Sequence, residues 1–307
     1  MTGPMMFKYA PAALLALLPL SAQAEDFTRL GFGYLLTNDF IGDGQDRWRT
    51  GSIASSRVWG RGWDGAPPRG VGDLIELRLG AQIIAPANIE APDPADRPYA
   101  GALSVGVHSH FETGGLDMAV GGDLVVVGPA TGLDSFHGAV HDLLGMPELS
   151  DAMRDAQIEN GVYPTVVAEA GRSFVIGDSV MRPFLEGRAG AETLVRAGFD
   201  MRWGGLEQGA LMVRDPVSGQ RYRAIDGGAS GYGFVIGGDV THVIDSVFLP
   251  EARGYDPRNA RVRARAGVEW RGENGGGVFY GLSYLGEEFD GQGEGQFVGS
   301  FRAHFRF

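Results

Sequence analysis

Beyond its first two dozen residues the chain alternates apolar and polar residues at strand length, again and again. Nowhere there does it hold the run of about 18 apolar residues that marks a membrane helix. In 261–271, Val262, Ala264, Ala266, Val268 and Trp270 face one way, and Arg261, Arg263, Arg265, Glu269 and Arg271 the other. Residues 73–84, 194–203 and 296–307 repeat the pattern. Such a period of two is β structure with one face unlike the other. It restricts the chain to a sandwich or a barrel.

Three features favour the barrel. The polar face carries both signs of charge, as a lumen lined by Arg–Glu and Arg–Asp pairs would. Aromatics (Trp203, Trp270, Phe307) sit near strand ends on the apolar face, as an interfacial girdle does. The chain also begins with a leader and ends in phenylalanine, like outer-membrane barrels, whose assembly machinery reads such a terminal strand. The leader is 1–24, with Lys8 its only charge, the apolar AALLALLPL, and AQA before Glu25. It is too short to span a bilayer as a helix, and residues 25–307 form the outer-membrane barrel domain. There is no cysteine, so no disulfide framework. A net charge of −12, with all positive charge beyond the leader on arginine, argues against nucleic acid.

Candidate strands fall at 27–37, 49–59, 72–84, 100–112, 115–127, 161–176, 179–190, 192–204, 229–243, 258–271, 275–288 and 295–307. The expectation is an all-β, transmembrane antiparallel barrel of about twelve strands, an even number as in single-chain bacterial barrels. With both termini periplasmic, the polar connections 38–48, 85–99 and 128–160 lie outside the cell. Connection 205–228 breaks the pattern, being long yet on the periplasmic side.

The chemistry-bearing residues sit in those outer connections. Asn38 and Asp39 close the first strand with hard oxygens that suit calcium, although Asn-Asp and Gly-Asp-Gly are also ordinary hairpin residues. In Asp96-Arg97-Pro98-Tyr99-Ala100-Gly101, Arg97 and Tyr99 could hold a phosphate or sugar. Equally, Asp96 and Arg97 could clamp the strand start. Stretch 128–148 interrupts the alternation: Phe136, Val140, Leu143 and Leu144 fall at helical spacing, Asp134 or Ser135 can cap the start, and Gly145 and Pro147 end it. This short extracellular helix places His137 and His141 one turn apart on one face. His141 could serve as a general base, and Glu148 could add a carboxylate to a metal site. The pair could bind zinc, but HGAVH lacks the glutamate of HExxH, or it could be incidental to a surface helix. His108, His110 and His304 read as lumen polar groups, and no G-x-S-x-G is present for a serine hydrolase.

Taken in order, Asn38-Asp39, Asp46-Arg47 with Thr50, Asp96-Arg97-Pro98-Tyr99-Ala100-Gly101, Val127-Gly128-Pro129-Ala130, His141 with Leu143-Leu144-Gly145, and Gln157-Ile158-Glu159-Asn160 resemble the outer-membrane lipid A 3′-O-deacylase (LpxR-type) family. The resemblance implies a calcium-dependent esterase near the outer-leaflet end of a twelve-stranded barrel. It would remove the 3′-linked acyloxyacyl group from the lipid A of lipopolysaccharide, among outer-membrane lipids. His141 would be the histidine that activates water, and must be neutral to do so. Asp39 would be an acid at the calcium site with Asn38 beside it, Thr50 a site hydroxyl, and Glu148 a calcium-binding glutamate. The chain departs from the family pattern at His137, where glutamine is usual, at Ser52, where glycine is usual, and in 152–155, which lack a tryptophan. The alternatives are an outer-membrane phospholipase and a non-catalytic pore or adhesin. The esterase reading requires His141, Asp39 and Thr50 to converge within about a nanometre at one rim, because base and ester must come within hydrogen-bond reach.

Overall fold

A computed structural model describes residues 27–227 and 229–305. The leader and the terminal Phe307 lie outside the described residues. The wall strands are β1 (Thr28–Asn38), β2 (Trp48–Gly60), β3 (Leu74–Ala85), β4 (Ala100–Thr113), β5 (Leu116–Val127), β6 (Gly161–Gly171), β7 (Phe174–Ile176), β8 (Ser179–Ala189) and β9 (Glu192–Trp203). After an internal hairpin, β10 (Leu211–Arg214) and β11 (Arg221–Ile225), the wall resumes with β12 (Gly231–Ser246), β13 (Ala260–Arg271), β14 (Gly277–Leu285) and β15 (Gln296–His304). Each wall strand pairs antiparallel with its neighbours. The circle closes because β15 pairs with β1 and β6 pairs with β8. The expected strand 161–176 is broken at Arg172-Ser173, so β7 merely prolongs β6 against the start of β8. Counting the two as one gives the twelve-stranded closed barrel, which leaves no sheet edge unpaired.

The wall is inside-out. Along β13 every arginine and Glu269 is buried, while Val262, Val268 and Trp270 are about half exposed. The apolar band of this wall is therefore the outer face of the strands, and among the described residues no helix is long and apolar enough to cross a membrane.

Connection 205–228, for which the sequence offers no reason, turns back into the barrel. Its β10–β11 hairpin occupies part of the lumen and answers charges there. Arg214 pairs with Asp200 at 2.9 Å and Glu169 at 2.7 Å, and Arg223 with Glu269 at 3.2 Å. The carbonyls of Pro216 and Val217 accept from Arg263 at 2.8 and 2.9 Å. One side of the hairpin is apolar and builds a small core within the lumen, where Leu211, Val213, Tyr222, Ala224 and Ile225 meet Leu35, Ala54, Val58 and Phe279. β1 makes room for it with two inward glycines. A Cβ on Gly31 would lie 2.0 Å from the carbonyl oxygen of Ala224, and one on Gly33 2.0 Å from that of Arg223.

That close backbone approach is testable. Gly31→Val or Gly33→Val must displace β11, since backbone cannot yield as a side chain can. We expect the parent barrel to be silent in planar bilayers and the valine variants to conduct and melt earlier. Silent variants of parental stability would show that the hairpin is not seated against β1.

Candidate active site

At the rim where 38–48, 85–99 and 128–160 meet, β2 begins with a local irregularity that exposes the site's logic. Trp48 pairs with Ala85 and Gly51 with Ile83, so Arg49 and Thr50 together oppose Ile84. This bulge suspends the alternation and turns two consecutive polar side chains inward; Arg49 and Thr50 are both buried. Trp48 carries the strain. It has φ 53°, the one non-glycine residue with positive φ among the described residues, and its indole N–H donates to Asp96 at 3.1 Å.

Arg49 enters a buried ion cluster with Glu288 and Glu192 at 2.9 and 3.3 Å. Thr50 serves the site. Its hydroxyl lies 3.0 Å from Asp39 Oδ1 and makes a second, short bond to Asp46 Oδ1. Asp39 Oδ2 also accepts from the Arg47 amide at 2.7 Å, and the Asn38 amide donates to the Thr50 carbonyl at 2.8 Å.

Over this hairpin lies α1 (Leu133–Leu144), ended by Gly145 in the left-handed conformation. The predicted helix is present, though Gly132 rather than Asp134 or Ser135 precedes it. Its buried face is histidine: His137 and His141 are 6% and 3% exposed, whereas Phe136, Leu143 and Leu144 are 60%, 83% and 63% exposed. His141 Nε2 is 3.0 Å from Asp46 Oδ2, and His137 Nε2 is 3.5 Å from Asp46 Oδ1. The carbonyl of Pro147 receives His141 Nδ1. A carbonyl only accepts, so Nδ1 carries hydrogen and a neutral His141 keeps its lone pair on Nε2.

His141, Thr50 and Asp39 are therefore joined through Asp46, with Asn38 and His137 alongside. Asp46 is the site residue that the sequence does not single out. It stands in the motif Asp46-Arg47, but nothing in a loop reading Gly-Asp-Gly-Gln-Asp says which acid turns inward. Burial pushes the Asp39 carboxyl up to about 8, against the bonds from Arg47 and Thr50 and with help from the charge of Asp46. Burial acts on Asp46 in the same sense, but hydrogen bonds from His137 and Thr50 hold it below the usual carboxylate range.

Three expected site residues are placed differently. Arg97 and Tyr99 are not substrate-facing, being 1% and 0% exposed. The Arg97 guanidinium pairs with buried Glu288, while Asp96 takes the clamp role by accepting from the amides of Arg97 and Ala87 at 2.7 and 2.6 Å. Tyr99 lies beneath α1, stacked on His137 with ring centroids 5.9 Å apart, because Ile83, Ile89, Leu149 and Met153 pack loop 128–160 down around it. Glu148 is exposed and makes no hydrogen bond or ion pair. His108 and His110 pair in the lumen with Asp123 and Glu76 at 2.8 and 2.7 Å, and His304, exposed near the end of its strand, faces the same side, beside Arg223, Glu269 and Arg302.

Two measurements follow. A carboxyl that titrates near 8 when folded and near 4 when unfolded costs nothing below pH 4, and its penalty grows as pH rises through that window. In chelator, Asp39→Asn should therefore gain stability relative to the parent between pH 5 and pH 9, read as urea midpoints in micelles; a constant difference would refute the shift. Arg97→Met removes one of three arginines around buried Glu288 and leaves Arg49 and Arg261 there, so it should cost about 1.5–3 kcal/mol of stability, the range of one hydrogen bond to a charged group. A stable variant with altered substrate affinity alone would restore Arg97 to the binding site.

With the geometry in place, comparison with known proteins gives a consistent answer. The sequence matches no curated protein. Among solved structures, LpxR from Salmonella typhimurium superposes with TM-score 0.71 at 17% identity, covering 90% of this chain and 100% of that one, which establishes a shared fold. The KdgM porin and the β domain of the Bordetella autotransporter BrkA reach TM-scores of only 0.40 and 0.39, at 5% and 12% identity, covering 90% and 92% of this chain and 99% and 100% of theirs. The family described as "Outer membrane protein LpxR" matches residues 10–307. The chain belongs to the LpxR family and is an outer-membrane β-barrel protein.

Proposed function

We propose that this protein is a calcium-dependent esterase that removes the 3′-linked acyloxyacyl group of lipid A at the outer leaflet. The observation that carries the reading is the orientation of α1. Its apolar Phe136, Leu143 and Leu144 are turned away from the protein, where acyl chains would lie, and its imidazoles are turned into a polar cluster at the rim. A lipid ester drawn along that helix arrives beside a histidine rather than beside bulk water.

The proton chemistry uses groups already in place. Neutral His141 presents Nε2, and Asp46 presents an anionic oxygen beside it. A water that donates one hydrogen to each satisfies both acceptors. His141 takes its proton as the oxygen attacks the ester carbonyl, and Asp46 stabilises the imidazolium that results. Collapse of the tetrahedral intermediate breaks the bond to the sugar oxygen, which takes the proton back from His141 as the fatty acid leaves. Asn38, fixed by its bond to the Thr50 carbonyl, has a second amide hydrogen to offer a developing oxyanion.

The donor set suits a hard cation. Thr50 has one hydroxyl proton, yet both Asp39 and Asp46 approach it, so a further positive centre is needed when both acids are ionised. Asp39, Asp46 and Thr50 would supply oxygens of the kind calcium takes, and Glu148 stands outside that set. When bound, calcium would supply positive charge toward the developing oxyanion.

The test is mass spectrometry of lipid A from outer membranes expressing the mature chain, with calcium or chelator. The expected result is loss of one acyloxyacyl unit, absent in chelator and absent in His141→Ala, with Asp46→Asn slower by about 10²–10⁴-fold, the range of a general-base contribution. Fatty acid released from phospholipid alone would make the protein a phospholipase, and an unchanged lipid pool would make it a non-catalytic barrel.

A further inference from the structure

We propose that Asp46, His137 and His141 form a transition-metal site of the zinc type, which shares Asp46 with the oxygen set around Asp39 but differs from it in carrying two imidazoles. The ligand atoms of these three residues lie within 4.8 Å of one another, and among the described residues they are the only such group. Zinc bonds of about 2.0–2.1 Å to nitrogen and oxygen place neighbouring tetrahedral ligands roughly 3.3 Å apart. The two imidazole–carboxylate separations are 3.0 and 3.5 Å and straddle that value. Two imidazoles and one carboxylate leave a fourth position for water, the pattern of an open zinc site. Imidazole favours zinc and its neighbours over calcium.

The hydrogen-bond pattern carries the inference further. Pro147 fixes the hydrogen of His141 on Nδ1, so the neutral ring points a lone pair at an anionic oxygen 3.0 Å away. Two acceptors approach so closely only with a hydrogen or a positive centre between or beside them, and a metal ion is one such centre. Without a metal His137 donates from Nε2 to Asp46; with one bound, it can take the same tautomer as His141, its hydrogen on Nδ1 instead. Its Nδ1 lies 3.3 Å from the Tyr99 hydroxyl, which in turn reaches the Leu133 carbonyl at 3.4 Å, so Nδ1–H donates to Tyr99 and Tyr99 donates to Leu133. Both Nε2 lone pairs then converge on Asp46, and Thr50 holds the other side of that carboxylate. A metal-binding histidine commonly donates its second nitrogen to a fixed acceptor, and the ring is thereby held toward the ion. Here both rings have one.

A consequence follows that rests on the esterase reading: an ion on His141 Nε2 occupies the lone pair that would accept the proton of water. Zinc is therefore a reversible inhibitor of the calcium-supported reaction, and a metal-binding surface residue would not have that effect.

The experiment uses the folded mature protein in detergent with calcium present. Co²⁺ is titrated for the visible bands of a four-coordinate site, and Zn²⁺ is then added to displace it. Heat-modifiable migration on gels confirms that each variant is an assembled barrel. The expected result is one cobalt site per chain, weakened at least about tenfold by His137→Gln and by Asp46→Asn, since even outer partners of a metal contribute 10–100-fold. His242→Gln, which alters an exposed histidine, leaves it unchanged. Absence of binding, or binding indifferent to His137→Gln and Asp46→Asn in assembled barrels, overturns the site. Fatty acid release that persists at saturating zinc overturns the inhibition. If the parent releases no fatty acid in zinc-free calcium buffer, the esterase reading fails, while the cobalt spectrum still decides the metal site.

Discussion

A wall that turns its apolar side chains to lipid must find partners for its charged ones inside, and the rest of this barrel follows from that demand. Isolated charges in a low-dielectric interior are prohibitive, so each must be paired and hydrogen-bonded. Wall-to-wall pairs such as Arg265–Asp239 and Arg182–Glu169, at 2.6 and 2.7 Å, meet part of the need. A twelve-stranded cylinder is too wide for its own side chains to fill, and the remainder is met by folding chain into the lumen. The β10–β11 hairpin supplies Arg214, Arg223 and the carbonyls of Pro216 and Val217, with an apolar edge against Leu35 and Val58. The lumen is thus a second, mostly ionic core, and its top is the floor of the rim site: Glu288 binds Arg49 from the wall and Arg97 from the loop at once.

This explains what could be read in the sequence and what could not. Period-two alternation is a local property of a strand in a two-sided environment, so the wall strands stand out with errors confined to their ends and to the break at Arg172-Ser173. The hairpin in 205–228 is not legible that way. Leu211 to Arg214 are all buried, because an element inside the lumen has protein on every side and no contrast between faces. The glycines that admit it, Gly31 and Gly33, carry their meaning only through Ala224 and Arg223, nearly two hundred residues away.

The helix shows the same limit from the other direction. A stripe of Phe136, Val140, Leu143 and Leu144 announces an amphipathic helix, but the period does not say which face meets protein. In water the apolar face would pack inward. At the rim of a membrane barrel lipid takes that face, and the histidines become the packed one. Likewise Thr50 was recognisable as a site residue by motif, yet its inward aim depends on the bulge that pairs Arg49 and Thr50 against Ile84. The roles of Arg97 and Tyr99 are left open by the sequence for a related reason. A guanidinium and a phenol suit a ligand and a buried support equally well, and only Glu288 and the underside of α1 decide between them.

Asp46 draws these strands of argument together. Its carboxylate faces two imidazoles on one side and, on the other, a hydroxyl that it shares with a second buried acid. The count of hydrogens does not close: with both acids ionised and both rings neutral, at least one acceptor faces another. The site therefore requires something positive. A proton on Asp39, in keeping with a carboxyl pushed up to about 8, answers the demand at one end. A hard cation among the oxygens answers it there more strongly, and a borderline metal between the nitrogens and Asp46 answers it at the other end. Water polarised beside Nε2 and Asp46 adds no charge, but like the proton on Asp39 and the hard cation it leaves the lone pair of His141 free to do chemistry; only the borderline metal takes that lone pair. Which ion stands where is accordingly the same question as whether the site is active.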